Sequence, residues 1–309
     1  MNRVVIGTRG SDLALWQAEF VRKSLEPQFP EIEFEIKIIR TTGDEVVDVS
    51  LAKIGDKGLF THQIEAALLA GEIDLAVHSL KDLQTDQPDG LVIGATCKRE
   101  QPNDVLIARS GQTLDELPQE AKVATGSLRR RSQLLAYRSD LEISDIRGNV
   151  PTRFRKFDES DLDAMVLAYA GVERLGLDER ISQVIPTDIL IPAVGQGSVA
   201  VEIRDGNSDV AAIVSRLDDA ETRACVTAER ALLRRLEGGC QVPIGGYATL
   251  DGDTLTLNGV VGSLDGRRIY RDSRSGSADD PESLGLAVAE ALRAAGADSV
   301  LTEARAAGN

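Results

Sequence analysis

Four features of this sequence combine residue types and spacings that chemistry needs. The first is Leu236 to Gly246, Leu-Glu-Gly-Gly-Cys-Gln-Val-Pro-Ile-Gly-Gly. Gly238 and Gly239 end the helical pattern that runs from Asp219 to Arg235, and Pro243 stops regular structure from resuming at once. Cys240 is therefore expected on a tight turn beside backbone N–H groups, where a thiol can serve as a nucleophile or a covalent anchor. A small buried residue filling a turn is the plainer alternative. The second stretch is His78-Ser79-Leu80-Lys81-Asp82, which follows the apolar run Ile73 to Val77. Ligands in open α/β sheets bind outside the carboxyl ends of strands, so Lys81 and Asp82 are candidates for a site. Their alternative roles are a solvated charge and a turn cap.

The third feature recurs. At Arg9–Ser11, Gly126–Arg130 and Arg147–Arg153, a strand-like run passes through small residues into a helical pattern with arginine at the junction. A helix N-terminus presents unpaired N–H groups and partial positive charge, so cations there are unfavourable unless an anion is present. Guanidinium groups offer paired donors that match carboxylates or phosphates. Three such junctions point to several anionic groups bound together. The fourth stretch, Thr41 to Gly58, intersperses Gly43, Gly55 and Gly58 with charge, including Lys53 and Lys57, and reads as a long mobile loop. A solvated surface excursion is the alternative.

The elements that must position these residues follow from periodicity. Strands are expected at Val4–Thr8, Phe34–Ile39, Ile73–Val77, Leu91–Ala95, Val105–Ala108, Val123–Ala124, Ile143–Ile146, Ala164–Leu167 and Val199–Ile203. Amphipathic helices fall between them, the first burying Leu13, Trp16, Phe20 and Val21 on one face. Three further strands, Tyr247–Leu250, Thr254–Val261 and Arg268–Arg271, precede a closing helix from Pro281 to Ala295. Because Val199–Ile203 returns to a sheet after Pro192-Ala193-Val194-Gly195-Gln196-Gly197, the chain crosses between lobes twice, near 98–103 and 192–198. The expected fold class is α/β: two discontinuous lobes like those of periplasmic binding proteins around a cleft, plus a small C-terminal α+β domain. The expected domains are 1–98 with 198–217, then 99–197, then 218–309.

The totals narrow the function. With 309 residues the chain exceeds one ordinary core. Its formal charge of −15 argues against a general nucleic-acid binder, and 4% aromatic residues argue against base stacking. Two histidines and three scattered cysteines give neither metal-ligand spacing nor a disulfide framework, so no metal is expected and the reducing cytoplasm is the expected compartment. No run reaches membrane-spanning length, and Met1–Gly10 lacks the apolar core of a signal peptide.

Taken together the motifs resemble the porphobilinogen deaminase (hydroxymethylbilane synthase) family over almost the whole chain. The resemblance rests on Leu13-Ala-Leu-Trp-Gln17, Leu51-Ala-Lys-Ile-Gly-Asp-Lys-Gly-Leu-Phe60, Ala76-Val-His-Ser-Leu-Lys-Asp82, Ser127-Leu-Arg-Arg130, Arg147-Gly-Asn149, Pro192-Ala-Val-Gly-Gln-Gly197 and Glu237-Gly-Gly-Cys-Gln-Val-Pro-Ile-Gly245. It implies head-to-tail condensation of four porphobilinogen units into a linear tetrapyrrole for heme biosynthesis, with ammonia lost at each step. Each pyrrole carries an acetate and a propionate, which accounts for the arginine junctions. The resemblance further implies a dipyrromethane cofactor joined to Cys240 through a thioether, with Asp82 as the catalytic carboxylate stabilising cationic pyrroles. Arg9, Ser11, Lys81, Thr125, Ser127, Arg129, Arg130, Arg147, Gly148, Arg153, Arg174 and Gln196 then bind cofactor or substrate, Arg129, Arg130 and Arg147 nearest the reacting molecule. Lys53, Lys57 and Phe60 match the family's mobile loop. A monomeric enzyme without nucleic-acid or membrane partners is implied.

Four positions depart from the family pattern: Gly126 replaces a common Ser, Leu83-Gln84 stands for Val-Pro, and Asp12 for Pro. None removes a charged group of the implied site. Two rival readings stay open on the residues alone, a two-lobed binding module for a small dicarboxylate and an inactive homologue. Simple capture needs no thiol, and the retention of Asp82 and Cys240 argues against the second.

Overall fold

The computed structural model describes residues 1–41, 61–237 and 242–308. Lys53, Lys57, Phe60 and Cys240 lie outside the described residues. In chain order the strands are β1 (Arg3–Thr8), β2 (Glu33–Ile38), β3 (Leu75–Ser79), β4 (Leu91–Thr96), β5 (Asp104–Ala108), β6 (Lys122–Ala124), β7 (Glu142–Ser144), β8 (Ala164–Ala168), β9 (Gln183–Val184), β10 (Val199–Arg204), β11 (Ile244–Asp251), β12 (Thr254–Gly262) and β13 (Ile269–Ser277). The α-helices are α1 (Asp12–Leu25), α2 (His62–Leu69), α3 (Leu128–Tyr137), α4 (Val150–Asp158), α5 (Tyr169–Glu173), α6 (Ser208–Val214), α7 (Ala220–Arg235), α8 (Pro281–Ala294) and α9 (Ala297–Gly308). The described residues fall into two compact units: 1–41, 61–100 and 198–223 form the first, and 101–197, 224–237 and 242–308 the second.

The first unit is built on a sheet of order β2-β1-β3-β10-β4, in which β1, β2 and β3 are parallel and β10 runs antiparallel to β3 and β4. Both faces are covered, so its central strands are buried along most of their length instead of alternating between buried and exposed positions. On one face Val4, Ile6, Leu75, Val77, Val199 and Val201 pack with Ala18, Val21 and Leu25 of α1 and with Val210 and Val214 of α6. On the other, Ala76 packs with Ile64 and Leu68 of α2. That second face also buries His78, Glu202 and Glu65, with His78 Nε2 3.4 Å from Glu202 Oε2. The apolar run that suggests a strand at Ile73–Val77 enters the sheet two residues later, at Leu75. Ile73 is buried, but its carbonyl accepts from Arg204 Nη1 at 2.9 Å, and Asp74 N donates to Val5 O.

The second unit holds two sheets. One has order β7-β6-β8-β5-β9, with β6 parallel to β7 and β8, and β5 antiparallel to β8 and β9. The other is an antiparallel meander, β11-β12-β13, whose inner face packs with α7, α8 and α9 through Leu232, Leu255, Leu257, Val288, Leu292 and Leu301. Sequence periodicity misses β9 and ends β13 too early. Residues 272–277 include no apolar side chain, yet their backbone stays in register to Thr254↔Ser277 on an exposed edge, where polar side chains are tolerated. The final helix α9 follows Gly296, whose φ of 110° breaks the helical path after α8.

Candidate functional site

In the first unit, parallel pairing puts the carboxyl ends of β1 and β3 at the same edge of the sheet. After β1 the chain passes through Arg9 and Gly10 to Ser11, which caps α1 by accepting from Ala14 N at 3.4 Å. After β3 it tightens into a single 3-10 turn, Leu80–Asp82. Antiparallel β10 starts at this edge, so Leu80 N donates to Ser198 O at 3.0 Å and anchors the turn. Gln17 Nε2 on α1 donates to Ser79 Oγ at 2.8 Å, tying the helix that follows Arg9 to the strand that presents Lys81 and Asp82. Leu80 is buried under the turn, Lys81 is half-buried, and Asp82 is exposed. The sequence-predicted set Arg9, Ser11, Lys81 and Asp82 is therefore gathered at one edge of one sheet.

The same topology operates in the second unit. Strands β6, β7 and β8 are parallel, and each leads at its carboxyl end into a helix carrying predicted residues. After β6, Ser127 accepts from Arg130 N at 3.4 Å and starts α3, while Thr125 Oγ1 accepts from Ser127 N at 3.3 Å. After β7, Asn149 accepts from Thr152 N at 2.9 Å and starts α4. Gly148 precedes it at φ 114°, where a Cβ would lie 2.6 Å from Thr152 Cγ2, so glycine is required by both conformation and space. Its carbonyl accepts from Arg153 Nε at 2.9 Å, and Arg147 Nη2 donates to Asp145 Oδ2 at 3.0 Å. After β8, Arg174 at the end of α5 donates from Nη2 to Gly197 O at 2.8 Å.

At the centre of this edge is a residue that the sequence reading missed. Asp104 begins β5 opposite Ala168, the last residue of β8, and is completely buried. Its Oδ2 accepts from Arg129 Nη1 at 2.7 Å. Its Oδ1 accepts from Arg130 Nε at 3.0 Å, Arg130 Nη2 at 2.7 Å and Gln196 Nε2 at 2.9 Å. Burial alone would raise the Asp104 pKa, but the charges and hydrogen bonds of the two arginines outweigh it and hold the carboxyl far below its ordinary range. Burial lowers the pKa of Arg129 against the opposing pull of Asp104. Arg129 and Arg130 are only 4% and 5% exposed. Part of the anion demand that the arginine junctions imply is thus met by the chain's own carboxylate. An acidic residue opening the otherwise apolar strand Asp-Val-Leu-Ile-Ala was the available signal.

Not every donor is spent. Arg129 Nη1 also donates to Ile191 O at 2.7 Å and Arg130 Nη1 to Val166 O at 3.0 Å, but Arg129 Nε is buried with no partner among the described residues. A buried guanidinium N–H without an acceptor is unfavourable unless another group completes it. Among the described residues no cluster of three His, Cys, Asp or Glu side chains could hold a metal ion, and no described helix is long and apolar enough to cross a membrane.

Comparison with known proteins gives the same family from both parts of the chain. Residues 4–212 match the family model "Porphobilinogen deaminase, dipyromethane cofactor binding domain", and residues 223–294 match "Porphobilinogen deaminase, C-terminal domain". The chain is 54% identical to the porphobilinogen deaminase of Pelotomaculum thermopropionicum, over 98% of its own length and 97% of the relative's. It is 54% identical to that of Desulforudis audaxviator and 50% identical to that of Chlorobium phaeobacteroides strain BS1, in each case over 98% of both chains.

Proposed function

This chain belongs to the porphobilinogen deaminase family, and from that premise we propose which of its residues carry the family's reaction. The reaction is the deaminating, head-to-tail condensation of four porphobilinogen molecules into the linear tetrapyrrole hydroxymethylbilane, a transferase step of tetrapyrrole biosynthesis that uses a dipyrromethane cofactor. Four acetate and four propionate groups accumulate along such a chain, so its enzyme must hold many carboxylates while leaving the pyrrole carbons free to react.

The residues of this chain fit a dipyrromethane by the chemistry of their donors. Arg129 Nε is buried without an acceptor among the described residues, and the strand-to-helix junctions beside it carry Ser127, Arg147, Gly148 and Arg153. In our reading Cys240 holds the cofactor through a thioether, and the acetate and propionate carboxylates are held by Arg129, Arg130, Arg147, Arg153 and Arg174 with Thr125, Ser127 and Gln196. When bound, the dipyrromethane supplies an anchored pyrrole to which the first substrate is joined.

Asp82 carries the catalytic role. It is exposed at the end of a turn pinned by the buried Leu80, so its carboxylate is open to a ligand while the backbone that carries it is anchored. There it accepts a hydrogen bond from a pyrrole N–H and offsets the positive charge that develops as ammonia leaves. Lys81, Arg9 and Ser11 at the same sheet edge bind substrate or cofactor carboxylates. Lys53, Lys57 and Phe60, outside the described residues, are assigned a role at the reacting molecule on the family resemblance alone. We assign three domains, 1–98 with 198–217, 99–197 and 218–309, in keeping with the three separate sheets. A monomer in the cytoplasm is the expected form, the compartment being supported by cysteines too few for a disulfide framework.

The observation that carries the proposal is the gathering of Arg9, Ser11, Lys81 and Asp82 at one edge of the first sheet. Its test is Asp82→Ala. Tetrapyrrole formation should collapse while the melting temperature stays within a few degrees of the wild type, because an exposed carboxylate contributes little to folding. Undiminished turnover by the variant would remove Asp82 from the mechanism.

A further inference from the structure

The cation set of the second unit is organised around an internal carboxylate that the proposed reaction does not use. Asp104 receives hydrogen bonds from Arg129, Arg130 and Gln196, which come from α3 and from the loop before β10. Each of its two oxygens has a separate task. Oδ2 takes Arg129 Nη1, which also donates to Ile191 O, so this nitrogen is fully committed and the plane of the guanidinium is set. Oδ1 takes Nε and Nη2 of Arg130, whose Nη1 is held by Val166 O, so that plane is set as well. Two guanidinium groups this close repel each other, and burial magnifies the repulsion. A single fully buried carboxylate answers both.

We infer that Asp104 is a positioning residue for carboxylate recognition: it fixes the orientation of Arg129 and Arg130 and supplies the counter-charge that keeps solvent anions from occupying the pair. The inference rests on the proposed function, in which these arginines hold pyrrole acetate and propionate groups. With an amide at position 104, Oδ1 could still accept from Arg130 and Gln196, but an NH2 group would face Arg129 Nη1. Arg129 would then lose its acceptor and its fixed plane, and the pair would carry an uncompensated charge that recruits chloride in competition with carboxylates.

The test uses full-length protein carrying Asp104→Asn, with a thermal melt to establish that it is folded. The KM for porphobilinogen should rise about tenfold while kcat changes less than about threefold, the signature of lost binding rather than lost chemistry. Inhibition by added chloride should be steeper than in the wild type. Independently of turnover, the concentration of benzene-1,2,4,5-tetracarboxylate that half-saturates its rise in melting temperature should increase in parallel. A folded variant with wild-type KM, chloride response and tetracarboxylate response overturns the inference. If Asp104→Asn does not fold, the double substitution Asp104→Asn with Gln196→Glu returns one carboxylate and one amide to the cluster. That variant should show a chloride response near the wild type and a KM still raised by the displaced geometry, and a wild-type KM would overturn the inference. Failure of the proposed function is distinguishable from either result, because there the wild type itself would leave porphobilinogen unchanged.

Discussion

Glu229 on α7 accepts the Gly195 N–H through Oε2 at 2.8 Å, and its other oxygen accepts the Ala248 N–H of β11, also at 2.8 Å. One fully buried carboxylate thereby fixes the loop that carries Gln196 to β11. Within the second unit, the residue that meets Asp104 and the C-terminal sheet thus share a support.

Removing half of that support should be costly. Glu229→Gln keeps one acceptor and places an NH2 group opposite a backbone N–H, leaving a buried donor unsatisfied. A loss of about 2 kcal/mol is expected from a charge-assisted hydrogen bond of this kind. Chemical denaturation would measure it, and an unchanged midpoint would show that the Gly195 and Ala248 contacts add nothing.

Gly148 should separate recognition from stability. Glycine at φ 114° lets its carbonyl accept from Arg153 Nε while the chain turns into α4. Alanine there would meet Thr152 and strain the backbone by about 1–3 kcal/mol. The turn is exposed enough to deform, so the expected result is a displaced Arg147 and Arg153 and a higher KM for porphobilinogen with the fold retained. Wild-type kinetics from Gly148→Ala would remove this junction from carboxylate binding.

Two buried acids should shape the pH dependence of stability in opposite senses. Asp104 has its folded pKa lowered, so the stability it contributes is present above its unfolded value of about 3.9 and is lost as the pH falls below it. Glu65 is 4% exposed and its pKa is raised, chiefly by burial and further by Glu202. Its contribution is full below its unfolded value and fades as the pH rises through the raised folded value. Melting curves of Glu65→Gln should accordingly lie above the wild type at about pH 8 and show no such gain at about pH 4. The destabilisation by Asp104→Asn should be large at pH 7 and shrink in acid. A Glu65→Gln profile parallel to that of the wild type would contradict the assignment.

Much of this was legible in the sequence, and the reasons are physical. Continuous apolar runs such as Ala164–Leu167 mark strands covered on both faces, and small residues before arginine mark the starts of α3 and α4. The Lys81–Asp82 turn was readable because a strand that ends in polar residues announces its carboxyl edge. What escaped was set by tertiary pairing. Asp104 looks like an ordinary polar residue before a strand, and only the antiparallel entry of β5 beside β8 brings it under Arg129 and Arg130. The outer half of β13 has no apolar side chain and β9 is only two residues long, so backbone pairing places them where periodicity gives no signal.

We propose that Cys240 anchors the dipyrromethane on which the tetrapyrrole is built. Intact-mass measurement of the denatured protein, followed by mapping of the peptide containing Cys240, tests it most directly. The expected result is a mass excess matching two linked pyrrole units on that peptide, or its appearance once apoprotein is incubated with porphobilinogen. A Cys240 thiol that stays unmodified after that incubation would contradict it.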